Sequence, residues 1–191
     1  MTQASRTGKR LTGADRLPGD PDTEATVAAM IRVDHAGEYG ARRIYDGQLA
    51  VLGQNASGGA IRHMADQENE HLAAFDKLVV ERRVRPTLLA PIWHAAGFAL
   101  GAGTALLGER AAMACTAAVE SVIDEHYARQ AEKLGDDETE LKTTIEKFRA
   151  DERQHHDTAI DHGARDAPAY ELLTGAIKQG TRLAIWLSTR L

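Results

Sequence analysis

The chain has 191 residues, of which 5% are aromatic and five are proline, a length and composition that favour a single all-α domain with a substantial core. Its formal net charge is −5, which argues against the basic surface of a nucleic-acid-binding protein. Cys115 is the only cysteine in the sequence, so an intrachain disulfide is excluded and a reducing compartment fits.

Residues 1–21 are predicted to form a flexible N-terminal tail, because glycine, threonine and arginine are mixed there with two prolines. The segment has no apolar stretch typical of a secretory signal. Its four basic residues indicate an ordinary basic tail, and a remnant transit peptide is the alternative. Residues 22–191 are predicted to form the folded domain.

Apolar periodicity predicts a first helix over residues 22–53 and a second over residues 60–83. Gly37 and Gly40 flank Glu38 inside the first helix, where each glycine costs roughly 1 kcal/mol relative to alanine. Close packing around Glu38 would justify that cost, and a local bend of the helix is the alternative.

Residues 87–108 contain no Asp, Glu, Lys or Arg, and as a helix they would be about 33 Å long, enough to span a bilayer. A single crossing at this point would place the two halves of the chain on opposite sides of a membrane. We therefore predict an apolar crossover helix that runs along a bundle or lies in the membrane interface.

Three further helices are predicted over residues 109–134, 137–163 and 168–191. The last one combines apolar residues with Trp186 and with basic residues that include Arg190. This mixture suits a membrane surface, and core packing with solvated basic side chains is the alternative.

The sequence contains two Glu-x-x-His motifs, at residues 68–71 and 152–155. Positions i and i+3 share one face of a helix, so each motif suits one metal ion. Di-iron carboxylate bundles add one glutamate from each of two further helices, and Glu38 and Glu120 precede the motifs by 30 and 32 residues. The alternative is that these side chains are exposed on solvated helix faces. The predicted metal ligands are Glu38, Glu68, His71, Glu120, Glu152 and His155.

Two nearby residues are candidates for supporting roles. Tyr127 lies seven residues after Glu120 and hence on the same helix face, so it is a candidate catalytic residue, with aromatic core packing as the alternative. Asp151 is a candidate acceptor for the ring N–H of a ligating histidine, with a solvated acidic residue as the alternative. Glu70 and Glu125 are carboxylates that the ligand pattern does not use.

Longer stretches of the sequence resemble the demethoxyubiquinone hydroxylase family, over about residues 25–191. They are DHAGEYGARRIYDGQLAVL (34–52), RVRPTLLAPIWHAAGFALGAGTALLG (83–108), AMACTAAVESVIDEHY (112–127), FRADERQHHD (148–157) and APAYELL with RLAIWLSTRL (within 167–191). The resemblance implies a ferritin-like four-helix di-iron bundle with an apolar crossover helix and a C-terminal helix. The family's ligand pattern falls on the six predicted ligands.

The resemblance also implies an activity: O₂-dependent hydroxylation of a polyprenyl methoxy-methyl-benzoquinol, demethoxyubiquinol, in ubiquinone biosynthesis. The implied cofactors are two Fe ions that change between Fe²⁺ and Fe³⁺, with O₂ as co-substrate and NADH as the ultimate reductant. A lipid-binding partner from the ubiquinone assembly machinery is expected, and an oligomer stays open. The expected location is peripheral, on the cytoplasmic face of a bacterial inner membrane or, as the alternative, on the matrix face of the mitochondrial inner membrane.

Two other classes of function fit some of these features. An iron-storage or ferroxidase protein would use the same six ligands, although the charge-free crossover argues against the polar outer surface that cage assembly needs. A non-enzymatic membrane quinone-binding protein would keep the apolar helices without needing the ligands.

Overall fold

The computed structural model describes residues 22–191, and the predicted tail of residues 1–21 lies outside the described residues. Within the described part the chain forms six α-helices and no β-strand. This is the predicted all-α, ferritin-like architecture. The helices are α1 (Thr23–Leu52), α2 (Gly58–Glu81), α3 (Ala90–Leu106), α4 (Glu109–Lys133), α5 (Thr139–Asp161) and α6 (Tyr170–Arg190).

Local signals in the sequence account for the helix ends, all of which lie within three residues of their predicted positions. The Asp22 carboxylate accepts a hydrogen bond from the Ala25 backbone N–H (2.5 Å) and caps α1. Gly108 (φ +113°) separates α3 from α4, and Gly163 (φ +82°) follows the end of α5. Both need a backbone conformation that glycine adopts without strain.

Four of the helices form the bundle as two hairpins, α1 with α2 and α4 with α5. The hairpins meet where α1 packs against α4 and α2 against α5. Large apolar side chains from all four helices fill the space between them and are fully or almost fully buried, including Ile31, Phe75, Tyr127, Ile145 and Phe148. Polar side chains that point into this core are therefore removed from water, which is costly unless they have partners.

Helix α3 is the predicted apolar crossover, and it packs mainly along α1. The approach is close because glycines face the contact. A Cβ added at Gly101 would stand 1.9 Å from the Ile44 carbonyl oxygen, and one added at Gly47 would stand 2.2 Å from that of Phe98. These positions therefore require glycine for the two helix backbones to touch.

The close packing near Glu38 that the sequence suggests is present at the Gly40 backbone, because a Cβ added at Gly97 of α3 would stand 2.8 Å from the Gly40 carbonyl oxygen. The Cβ positions of Gly37 and Gly40 themselves are open. A Cβ added at either position meets no other described atom within 4 Å. Both glycines instead line a cavity between α1, α3, α4 and α6. The two glycines therefore lower the helix propensity of α1 and leave open space beside it.

Helix α6 packs against α4 and α1 and is amphipathic. Ile177 and Ser188 are buried, whereas Leu183 and Trp186 on the opposite face are more than half exposed. Within residues 22–191, no helix combines the length and the apolar character needed to cross a bilayer.

Candidate metal centre

The six predicted ligands are buried and converge from the four bundle helices. Their oxygen and nitrogen atoms form two overlapping groups, and within each group the potential ligand atoms all lie within 4.8 Å of one another. Glu68 and Glu152 belong to both groups and therefore lie between two adjacent candidate metal positions. The first group is Glu38, Glu68, His71 and Glu152, and the second is Glu68, Glu120, Glu152 and His155.

Both histidines turn Nδ1 toward the carboxylates. His71 Nδ1 lies 3.1 Å from a Glu152 oxygen and 3.5 Å from a Glu38 oxygen. His155 Nδ1 lies 3.2 Å from oxygens of Glu68 and Glu152. The Nδ1 atoms are thus the ring atoms available to a metal.

The other ring nitrogen of each histidine has a partner on the opposite hairpin. His71 Nε2 lies 3.1 Å from the Asp151 carboxylate, and His155 Nε2 lies 3.1 Å from the Gln67 side-chain oxygen. A hydrogen on Nε2 donates to these acceptors and leaves Nδ1 with a free lone pair. Asp151 therefore has the contact predicted for it. Gln67 escaped prediction, although it precedes its Glu-x-x-His motif as Asp151 precedes the other.

Two tyrosines hold the remaining carboxylates. The Tyr127 hydroxyl donates to Glu38, and the Tyr45 hydroxyl donates to Glu120 (2.8 Å). Tyr127 is also part of the apolar core, so its predicted site contact and the alternative of core packing both hold. Tyr45 escaped prediction, although it follows Glu38 by the same seven residues that separate Tyr127 from Glu120.

The four glutamate carboxylates lie close together in the buried interior, so their negative charges repel one another. Burial and the neighbouring charges of Glu152 and Glu38 raise the pKa of Glu68 well above its usual value. Burial, followed by the charge of Glu152, does the same to the pKa of Glu120. Burial lowers the pKa of His71, but the nearby carboxylates of Glu152 and Glu38 outweigh it and raise that pKa to about 10. The cluster therefore draws in positive charge.

The donor set fits two metal ions. Both Glu68 oxygens and His71 Nδ1 are buried, and within residues 22–191 their polar neighbours are other potential ligand atoms that do not form hydrogen bonds of good geometry with them, an arrangement that is costly unless another atom satisfies them. Four carboxylates and two imidazoles are ligands suited to iron, and four glutamate charges balance two Fe²⁺ ions. Glu70 and Glu125 are exposed and lie outside the cluster.

A mostly apolar cavity of about 350 Å³ lies beside the cluster, between α1, α3, α4 and α6. It adjoins a small recess whose wall includes Tyr127 and four of the predicted ligands, Glu38, Glu68, Glu120 and Glu152. The walls of the cavity and the recess share four residues, Val33, Gly37, Ile123 and Ile185. An apolar molecule in the cavity would therefore lie next to the carboxylates.

Comparison with known proteins identifies the family. Residues 25–188 match the family model described as ubiquinone biosynthesis protein COQ7. The chain belongs to this family of demethoxyubiquinone hydroxylases. It is 62% identical over 182 residues to the 3-demethoxyubiquinol 3-hydroxylase of Rhodospirillum rubrum, which covers 95% of this chain and 86% of the relative.

Mitochondrial members of the family are similar over comparable lengths. The chain is 51% identical over 191 aligned residues to the human protein named NADPH-dependent 3-demethoxyubiquinone 3-hydroxylase, covering 96% of this chain and 88% of the relative. It is 45% identical over 179 residues to the 5-demethoxyubiquinone hydroxylase of Saccharomyces cerevisiae, covering 85% of this chain and 77% of the relative. The relatives thus include bacterial and mitochondrial proteins named as hydroxylases.

Membership of the demethoxyubiquinone hydroxylase family and the all-α fold are therefore confirmed predictions. The role of the six clustered residues as iron ligands stays a prediction, and so does the catalytic role of Tyr127. The same holds for the division at residue 22, the partners and the membrane face.

Proposed function

We propose that the chain is a di-iron hydroxylase that uses O₂ to add a hydroxyl group to the ring of demethoxyubiquinol, the activity for which its relatives are named. The observation that carries the proposal is the buried cluster of four glutamates and two histidines beside an apolar cavity. A cluster without the cavity would suit iron handling equally well, and a cavity without the cluster would suit quinone binding.

Each residue of the cluster has a place in this proposal. Glu38 and His71 would hold one ion, Glu120 and His155 the other, and Glu68 and Glu152 would contribute to both. Two iron ions bound there would supply the redox chemistry that activates O₂. The surrounding core keeps bulk water out, and each tyrosine hydroxyl fixes the orientation of one terminal carboxylate.

The cavity suits the quinol. Its volume is within the range of about 300–1,000 Å³ that is typical of small-molecule sites, and its lining is mostly aliphatic side chains, glycine and Trp93. The ring would lie in the cavity against the recess that contains Tyr127, and the first part of the polyprenyl tail would contact the aliphatic lining. Helices α3 and α6 form two of the walls, so the tail would leave between them.

The exposed surfaces of α3 and α6 support peripheral binding to a membrane that contains the substrate. Their exposed apolar side chains include Ile92, Leu106, Leu183 and Trp186. The Arg190 guanidinium lies 4.3 Å from the centre of the Trp186 ring, a pairing suited to a lipid headgroup boundary. The bilayer face would be cytoplasmic in a bacterium or matrix-facing in a mitochondrion, and a lipid-binding partner would deliver the substrate there.

The source of electrons is the least constrained part of the proposal. NADH is the expected ultimate reductant, whereas the human relative is named for NADPH. The sequence has no glycine-rich phosphate-binding motif of the usual dinucleotide-binding kind. We therefore propose a reductant derived from a nicotinamide nucleotide and assign no binding site to it.

Metal loading and product analysis test the function together. Protein loaded anaerobically with Fe²⁺ should retain about two irons per chain and, with reductant and ¹⁸O₂, should place one labelled oxygen on demethoxyubiquinol. Glu120→Ala and Glu152→Ala should abolish hydroxylation and lower the iron content while helix content stays near that of wild type. Glu70→Ala, at an exposed position of α2, is the matched control and should behave as wild type.

The alternatives give different results. Rapid oxidation of many Fe²⁺ equivalents with unmodified quinol would indicate a ferroxidase. Quinol binding by a folded, metal-free protein that never hydroxylates it would indicate a binding protein. Full activity in Glu120→Ala or in Glu152→Ala would contradict the ligand assignment.

A further inference from the structure

The metal centre is nearly symmetric in its layout but not in its chemistry. The residue that precedes the glutamate of each Glu-x-x-His motif contacts the histidine of the other motif. Asp151 accepts from His71 Nε2, and Gln67 accepts from His155 Nε2, both at 3.1 Å. Equal distances at equivalent positions therefore join one imidazole to a carboxylate and the other to a neutral amide.

The rest of the surroundings does not offset this difference. Both acceptors are partly buried, and both metal positions have a tyrosine that donates to the terminal glutamate. The hydrogen bonds behind the two histidine rings thus differ in the charge of the acceptor.

The charge of the acceptor controls how well the opposite ring nitrogen donates its lone pair. A hydrogen bond from N–H to a carboxylate is roughly twice as strong as one to a neutral acceptor. It increases negative charge on the imidazole and makes Nδ1 a stronger base and a better metal ligand. An amide oxygen orients the ring in the same way but adds little charge.

We propose that the two metal positions are inequivalent: Asp151 makes the position of His71 and Glu38 the tighter one, and Gln67 leaves the position of His155 and Glu120 the weaker one. The inference rests on the proposed metal centre and adds an order of filling to it. Asp151 and Gln67 act through the histidines and are positioning residues.

Co²⁺ binding to the metal-free, full-length protein under anaerobic conditions tests the inference without turnover. Calorimetry and competition with a chelator should resolve two binding steps of unequal affinity in wild type. Asp151→Asn removes the charge with little change in shape and should weaken the tight step about 10–100-fold, which brings the two steps together. Gln67→Glu should strengthen only the weak step.

Ligand variants assign each step to a position. In Glu38→Ala, which removes a ligand of the first position, the remaining step should be insensitive to Asp151→Asn. In Glu120→Ala, the remaining step should weaken on Asp151→Asn by the same factor as the tight step of wild type. Circular dichroism monitors the folding of each variant. If Asp151→Asn does not fold, Gln67→Glu carries the test, because damage to the structure would not strengthen one binding step alone.

The outcomes separate this inference from the proposed function. Two Co²⁺ ions bound with equal affinity in wild type, or equal weakening of both steps by Asp151→Asn, would overturn the inequivalence and leave the metal centre intact. No Co²⁺ binding at all would overturn the metal centre and the inequivalence with it.

Discussion

At the scale of single residues, each tyrosine at the cluster lies seven residues beyond a glutamate of its own helix and donates to the glutamate of the neighbouring helix. Tyr127 on α4 contacts Glu38, and Tyr45 on α1 contacts Glu120. Their other surroundings differ. Tyr127 lines the recess that adjoins the cavity, whereas Tyr45 lies in a core cluster with its hydroxyl 3.8 Å from the Met64 sulfur.

This difference predicts different effects of removing the two hydroxyls. Each loses a hydrogen bond to a charged group, worth about 1.5–3 kcal/mol. In Tyr127→Phe the loss is next to the substrate, so hydroxylation should fall about tenfold or more while iron content is kept. In Tyr45→Phe the loss should lower the melting temperature, with turnover per bound iron near wild type. Equal turnover numbers for the two variants would contradict the distinction.

The ionisable residues of the cluster predict how the stability of the metal-free protein depends on pH. Because the pKa of His71 is raised from 6.5 to about 10 in the folded state, its contribution is fully present below pH 6.5 and is lost as pH rises to about 10. The raised pKa values of Glu68 and Glu120 act in the same direction, because the unfolded chain releases those protons at lower pH.

Thermal melting measures this dependence. With chelator present, the melting temperature should fall as pH rises from neutral toward 10. With saturating Co²⁺ the fall should disappear or reverse, because bound metal requires the deprotonated ligands. A metal-free melting temperature that rises across the same window would show that the cluster is not charged as described.

Sequence patterns predicted that the six candidate ligands would cluster because their spacing along helices is fixed by the helical repeat. The Glu-x-x-His pairs share a face at any position, and two hairpins bring the pairs together. Gln67 and Tyr45 needed more than spacing, because each contacts a residue of the opposite hairpin. Only the relative rotation of the packed helices decides such contacts.

At the scale of secondary-structure elements, apolar periodicity, Gly108 and Gly163 fixed the helix bounds. The glycines within α1 were harder to interpret, because glycine inside a helix indicates either close contact or open space. Gly47 lies in close contact with α3, whereas Gly37 and Gly40 face the cavity. The two cases differ in whether the backbone of α3 lies directly against the Cβ position.

The glycine at position 40 allows a test of the cavity. Gly40→Leu should stabilise α1 by about 0.5–1 kcal/mol through helix propensity, and its side chain should fill part of the cavity, because a Cβ there meets no described atom within 4 Å. We expect a higher melting temperature, an unchanged iron content and a kcat/KM for the quinol that is at least about tenfold lower.

A matched control separates propensity from cavity filling. Gly103→Leu, on the exposed face of α3, should gain the same helix propensity without entering the cavity, and should keep wild-type kinetics with a short-tailed quinol in solution, where membrane contact plays no part. A Gly40→Leu enzyme with wild-type KM and kcat would exclude the cavity as the quinol site.

At the scale of the whole molecule, the exposed apolar side chains are distributed unevenly among the helices. Helix α2 contributes mainly to the bundle with α1 and α5. Helix α3 lies on α1, and α6 lies on α4 and α1; both border the cavity and keep large apolar side chains exposed. The charge-free stretch in the sequence indicated a membrane or crossover role for α3 without deciding between them. In the structure α3 has a glycine-lined face against α1 and an exposed face with Ile92 and Leu106, so it serves as a crossover and remains free to contact lipid.

Charge placed on the exposed face tests the membrane proposal. Leu183 and Trp186 are 57% and 53% exposed, so Leu183→Asp and Trp186→Asp should change the free energy of unfolding by no more than about 0.5 kcal/mol. Each removes apolar area that would enter the lipid boundary and adds a charge that anionic headgroups repel, so liposome binding should weaken on the order of tenfold per substitution. Val80→Asp is the control, because Val80 is 76% exposed on α2, away from this surface.

Flotation with anionic liposomes and turnover of long- and short-tailed quinols give the measurement. The α6 variants should lose flotation and turnover of the long-tailed quinol and should keep turnover of the short-tailed quinol. Equal flotation of the Val80 and Trp186 variants would contradict membrane contact through α6, and a fall in melting temperature in the α6 variants alone would assign these side chains to packing.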